Sequence, residues 1–211
     1  MYTPPFNAVE DEQAIRAFVA ATNVGWLVTV GRDGAPQATL LPVMWSGDTV
    51  VAHLAKANSH WREIGDGTAG LLICTGPDAY ISPSWYAAKA EHGRVVPTWN
   101  YTAVHLSGPV RVHTDREWLR EAVTSLTDVH EGERADRWHV TDAPEHYVDG
   151  QLGGIIGVEL TVTRVEAKAK LSQNRSDADR RGAIAGLAAE GTPRAEAVAG
   201  DMSRALADGA S

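Results

Sequence analysis

The sequence predicts an α+β fold in which a β-barrel carries peripheral helices and a C-terminal helical extension. Three observations lead there. Short extended runs separated by Gly-rich turns recur from Val24 to Leu171. Helical periodicity is confined to the start, the middle and the end of the chain. Neither G-x-G-x-x-G nor G-x-x-x-x-G-K-[ST] follows a strand, which argues against a doubly wound sheet with a dinucleotide or P-loop site.

Taken in order, Glu10 to Ala21 places Ile15, Phe18 and Val19 at helical spacing. Val24 to Val30 alternates, with Trp26, Val28 and Val30 on one side, and Asp33-Gly34 turns the chain into a second strand from Gln37 to Trp45. Thr49 to Leu54 is a third strand, and Asn58 is placed to cap a short helix running through Ile64. Ala69 to Thr75 reads as a buried fourth strand ended by a Gly76-Pro77-Asp78 turn. A charged linker, Lys89 to Arg94, leads to Thr102 to Val112, with a bulge expected at Gly108-Pro109. Thr114 with Glu117 suggests a capping box for a helix carrying Trp118, Leu119, Ala122, Val123, Leu126 and Val129. Pro144 to Leu152 is a short helix, Ile155 to Leu171 one long last strand, and Ser176 to Ala189 and Pro193 to Ala207 are terminal helices.

Composition bounds the function. The 211 residues, 44% apolar and 22% charged, suit one globular domain with a terminal appendage. Cys74 is the lone cysteine, which excludes an internal disulfide and suits a reducing compartment; with no apolar run near ~20 residues and no leader pattern, a cytoplasmic location and no membrane partner are expected. A net charge of −8 argues against a surface that neutralises DNA phosphates. Seven tryptophans against two phenylalanines favour pockets or interfaces where an indole N–H finds a partner.

The densest chemistry lies in Val51 to Arg62, VAHLAKANSHWR, where a strand runs directly into two imidazoles, a lysine, an amide and an indole. Such a set suits a planar, anionic cofactor. Lys56 fits an anion contact, because a lysine directly after a buried strand is costly to bury without a counter-charge. A solvated lysine is the competing reading. Trp85, Tyr86, Trp99 and Tyr101 serve equally to stack on a ring or to fill a barrel end, with Asn100 hydrogen-bonding in either case. Glu131 and Glu133 read as a solvated helix end.

Six stretches, MYTPPF, ATLLP (Ala38 to Pro42), AHLAKANSHW (Ala52 to Trp61), GPDAYISPSWY (Gly76 to Tyr86), VPTWNYTAVH (Val96 to His105) and KLSQNR (Lys170 to Arg175), resemble the PaiB-type proteins, FMN-binding negative transcriptional regulators. The resemblance covers about the first 180 residues. It implies a PNP-oxidase-like split β-barrel over residues 1–175 with an extension over 176–211, forming a homodimer whose cofactor site lies at the subunit interface. Haem-dependent piperazate synthases, which form an N–N bond in cyclising N-hydroxyornithine, resemble the same family.

The resemblance therefore leads to two cofactors. Haem b needs an apolar slot, an axial ligand and cations for its propionates. In that reading His60 ligates iron, with His53 or His105 as alternatives, and His60 and Lys56 are catalytic toward an amino-acid-like substrate. FMN needs a phosphate clamp, for which Thr39 and Lys56 stand ready, although no arginine lies on the Gln37 to Trp45 strand. In both readings Thr39, His53, Lys56, Asn58, Trp61, Arg62, Trp99, Asn100, Gln173, Asn174 and Arg175 contact the cofactor. The thin phosphate clamp leads us to place the haem-dependent cyclase first and an FMN-dependent oxidoreductase or regulator second.

Overall fold

A computed structural model describes residues 1–208. The order of elements is α1 (Glu12–Thr22), β1 (Val24–Val30), β2 (Pro36–Ser46), β3 (Thr49–Ala55), α2 (His60–Glu63), β4 (Thr68–Ile81), α3 (Ala87–His92), β5 (Thr98–His113), α4 (Arg116–Glu131), α5 (Glu145–Leu152), β6 (Ile155–Thr161), β7 (Arg164–Lys170), α6 (Asp177–Ala189) and α7 (Pro193–Asp208). The strand order is β4-β1-β2-β3-β6-β5-β7, and an added β4–β5 pairing closes a ring that leaves β7 outside it. This is the α+β split β-barrel expected from the sequence. The chain folds as two compact units: Arg16–Cys74 with His105–Val165, and Met1–Ile15 with Thr75–Val104 and the chain from Glu166 onward.

The first, the barrel unit, is built on period-two alternation. In β1 Leu27 and Thr29 point inward at 2% exposure each, whereas Trp26 and Val30 are 46% and 57% exposed. The side of β1 expected to be apolar therefore faces out. Gly25 explains part of this inversion, since a Cβ there would lie 2.9 Å from Leu72 Cδ1. The turn into β2 is closed by Gly31 N–H donating to Ala35 O at 2.8 Å, with Gly34 at φ +83°, where a side chain would be strained. In β3 Val50, Ala52 and Leu54 are buried on the inner face. On the outer face Gly157 pairs with His53, and a Cβ at 157 would lie 2.0 Å from Trp118 Cζ3, so glycine provides the slot in which α4 sits.

Four local expectations are corrected. The cap of α4 is Asp115, which accepts from Trp118 N at 2.9 Å; Thr114 stands one residue too early. Gly76-Pro77 lies inside β4 rather than in a turn, since proline's fixed φ is tolerated in extended backbone where no ladder N–H is needed. Gly108 is part of a continuous β5 and is required by close approach, because a Cβ would fall 1.8 Å from Thr161 O. The expected last strand breaks into β6 and β7, as Val162 N–H turns to Asp48 O and Thr163 N–H to Ser107 O, at 2.7 and 2.9 Å. In addition, Lys89 to Arg94 is not all linker: α3 runs to His92 and stops at Gly93 with φ +68°.

The second, the tail unit, owes its core to the Ala-rich helices. Ala183, Leu187, Val198 and Met202 are fully buried with Ile81 and Tyr86. Ser176 caps α6 by accepting from Asp179 N at 3.2 Å. Gly182 and Gly186 leave a groove for Trp85, whose carbonyl oxygen would be 2.0 Å from a Cβ at 182 and whose ring would be 2.2 Å from one at 186. Trp85 is thus a packing residue. Among the described residues no helix is long and apolar enough to cross a membrane.

Candidate cofactor site

In the barrel unit the segment after β3 folds back toward β1 and β2. Lys56 N–H donates to Gly154 O at 2.8 Å, and Asn58 N–H to Ala55 O at 2.9 Å. Asn58 caps the start of α2 as expected: Ser59 already has αR geometry, and Asn58 Oδ1 accepts from His60 N at 3.0 Å. Its Nδ2 donates to Thr39 Oγ1 at 3.4 Å.

His60 is 2% exposed, and both of its ring nitrogens are engaged. Nδ1 lies 2.8 Å from Thr39 Oγ1 and Nε2 lies 2.9 Å from Thr29 Oγ1. Burial lowers the imidazole pKa, so the ring is held neutral. A neutral imidazole donates through one nitrogen and accepts through the other, which the two hydroxyls satisfy together. Ligation of iron by His60 requires one of these bonds to break.

The cations beside this cluster are open. Lys56 and Arg62 are both exposed, and among the described residues neither side chain is ion-paired. Arg62 lies over the Trp61 ring at 4.9 Å, and Trp61 Nε1–H donates to Lys56 O at 3.0 Å, which ties the indole to the loop. Thr39, Lys56, Asn58, His60, Trp61 and Arg62 therefore share one local structure. Hydroxyl, amide and two uncompensated cations are a donor set suited to a phosphate or carboxylate.

His53 has a different setting. It lines an apolar cavity of about 310 Å³ with Val123, Trp138, Tyr147, Leu152 and Ile155. Its Nδ1 is buried without a partner among the described residues, and burial lowers its pKa. His105 is half-buried on β5 between the buried Val104 and Leu106. Among the described residues no group of three His, Cys, Asp or Glu is placed to hold a metal ion.

The remaining expected contacts belong to the tail unit. Trp99 is 47% exposed, and its Nε1–H donates to Asp78 at 2.6 Å. Asn100 is fully buried; its amide exchanges bonds with Ser172 Oγ at 3.0 and 3.1 Å and touches Met202 Sδ. Gln173 is occupied by its own backbone, accepting from Leu171 N at 2.7 Å and donating to Ala169 O at 2.6 Å. Asn100 and Gln173 thus order the KLSQNR segment, with Ser172 at φ +64°. Arg175 lies over Tyr86 at 4.8 Å, and with Asn174 it reaches a cavity shared with Lys168 and Lys170.

Two groups escaped the sequence reading. Thr29 completes the His60 cluster, and its signal is a hydroxyl residue at an inward position of an otherwise aliphatic strand. Lys168 joins Lys170, the first residue of the KLSQNR stretch, and its signal is K-A-K, two lysines at period two on a strand.

Comparison with known proteins agrees with the fold. Protease synthase and sporulation protein PAI 2 of Bacillus subtilis is 32% identical over 203 residues, covering 94% of this chain and 95% of that protein. The FAD and heme binding protein from Mycobacterium smegmatis superimposes with a TM-score of 0.59 at 16% identity, covering 78% of this chain and 73% of that one. The flavocytochrome Anf3 from Azotobacter vinelandii gives a TM-score of 0.55 at 18% identity, covering 78% and 69%. At those identities the two structures speak for the fold alone. The family described as "Putative FMN-binding domain" matches residues 1–164, and this chain belongs to that family.

Proposed function

We propose that the protein is a PaiB-like flavin protein that holds FMN through the Thr39–Lys56–Arg62 cluster and acts as an oxidoreductase. The observation that carries this reading is that Lys56 and Arg62, cations without an ion pair among the described residues, lie on the segment whose Asn58 and His60 fix the Thr39 hydroxyl. A phosphate dianion needs charge-assisted donors of this kind. Bound FMN would supply hydride and single-electron transfer. The chain's part is to bind and orient it: Lys56 and Arg62 meet the phosphate, Thr39 adds a hydroxyl, and Trp61 gives the loop a rigid aromatic face. Titration of the purified protein with FMN, followed by flavin fluorescence, tests this. Saturable quenching that is lost in Lys56→Ala supports it, and unchanged emission at every protein concentration contradicts it.

A second reading, a haem-dependent N–N bond-forming cyclase, is favoured by one observation. His53 stands in an apolar cavity with a buried, unpartnered ring nitrogen and a lowered pKa, the neutral state that iron ligation requires. Relatives in fold include the FAD and heme binding protein, so both cofactors suit the scaffold. In this reading His53 replaces His60 as the axial ligand. A Soret band that appears on adding haemin and disappears in His53→Ala supports it; free-haemin spectra throughout contradict it.

Both readings take the protein as a homodimer. Trp26 and Leu40 are register partners on β1 and β2, exposed by 46% and 48%, and so form an outward apolar pair of the sort that assemblies bury. A DNA-binding regulator is ranked below both, given the net charge of −8.

A further inference from the structure

We propose that the tail unit carries a ligand site of its own that binds a small planar carboxylate. The site is the cavity of about 450 Å³ against which the N-terminal segment folds, lined among others by Tyr2, Asn7, Tyr101, Lys168, Lys170 and Arg175. The proposal does not depend on the flavin reading.

Charge is the first argument. Among the described residues three cations line this cavity, and no Asp or Glu does. Lys168 is only 7% exposed and makes no ion pair among the described residues. Its ammonium donates one bond, to Tyr2 O at 3.0 Å, and leaves two N–H groups for other acceptors. Glu166, on the same face of β7, is engaged with the Met1 amino group at 2.5 Å. A buried ammonium without a carboxylate is costly, and an anion entering the cavity removes that cost.

Shape and polarity give the second argument. The Lys168 ammonium lies 5.8 Å from the Tyr2 ring centre and 5.3 Å from that of Tyr101, so two aromatic faces flank the charge. Lys170 donates to Thr98 Oγ1 at 2.6 Å, which fixes a second ammonium in the lining of the same cavity. Asn7 is 5% exposed, lines the same cavity, and its amide makes no hydrogen bond among the described residues. Aromatic walls with cations and an open amide at one end select a flat ring bearing a carboxylate over a bare inorganic anion.

Equilibrium dialysis of the full chain with salicylate tests the proposal. Saligenin, which keeps the ring and loses the charge, and inorganic phosphate, which keeps charge and loses the ring, serve as competitors. The expected result is saturable salicylate binding that neither competitor displaces at equal concentration. Lys168→Met weakens it by about tenfold or more, and Lys170→Met weakens it measurably, while FMN titration of both variants stays within about twofold of wild type. If Lys168→Met does not fold, Lys170→Met and Arg175→Gln decide, with circular dichroism as the check on folding. The proposal is overturned by absent saturation, by equal binding of saligenin, by displacement with phosphate, or by unchanged affinity in the folded variants. Stoichiometric displacement of salicylate by FMN overturns it as well, because the cavity would then be the cofactor's own.

Discussion

Thr39 Oγ1 lies 2.8 Å from His60 Nδ1, and this bond ties the loop after β3 to strand β2. The opposite ring nitrogen reaches Thr29 on β1, so one imidazole fastens two neighbouring strands to the segment that presents Lys56 and Arg62. His60 thereby acts on the candidate site by positioning it.

This arrangement makes stability depend on pH. Burial sets the folded-state pKa of His60, and likewise that of His53, below the ordinary histidine value of about 6.5. The unfolded chain therefore takes up protons first as the pH falls. The stabilisation is complete above about pH 6.5 and is lost as the pH drops toward the folded-state values. Thermal melts at pH 5, 6 and 7 should show the midpoint rising with pH, with a shallower rise in His60→Gln. A midpoint that is flat over this range contradicts the buried, neutral imidazole.

The α4 cap gives a test of local structure. Asp115→Ala should cost about 1 kcal/mol by removal of the bond to Trp118 N, whereas Thr114→Ala should be close to neutral. Urea unfolding of the two variants separates them.

Gly182→Ala should destabilise the tail unit by about 1–3 kcal/mol, because the added methyl meets the Trp85 carbonyl oxygen, a backbone atom that cannot turn aside. Chemical denaturation measures the loss. Wild-type stability in this variant contradicts the packing described for Trp85.

Cys74 is fully buried, and burial pushes its thiol pKa up to about 12. Iodoacetamide should leave the native protein unmodified at pH 8 and label it rapidly in urea, as read by mass spectrometry.

Much of this structure is legible in the sequence because strands and helices differ in period. The runs from Val24, Gln37 and Thr49 are strands within one or two residues, and the motifs following them do converge around Thr39, Asn58 and His60. What was hidden depends on distant partners. The outward turn of Trp26 follows from Gly25 meeting Leu72 and from Thr29 meeting His60, and neither contact is encoded near β1. Gly182 and Gly186 look like defects in a helix until Trp85, almost a hundred residues earlier, fills the groove. Lys168 and Lys170 lie outside the KLSQNR motif or at its edge, and only the fold of the N-terminal segment turns them into a cationic cavity. Asn100 and Gln173 suit a cofactor contact or a structural role by polarity alone, and in the protein Asn100 bonds Ser172 while Gln173 bonds its own backbone neighbours Leu171 and Ala169.

The most direct measurement is the visible spectrum of the wild-type protein and of the Lys56→Ala/Arg62→Ala variant during FMN titration. Bound, quenched flavin is expected in the wild type and an affinity at least about tenfold weaker in the variant, as removal of two charge-assisted contacts requires. Equal FMN affinity in the two proteins, or no binding by either, would contradict it.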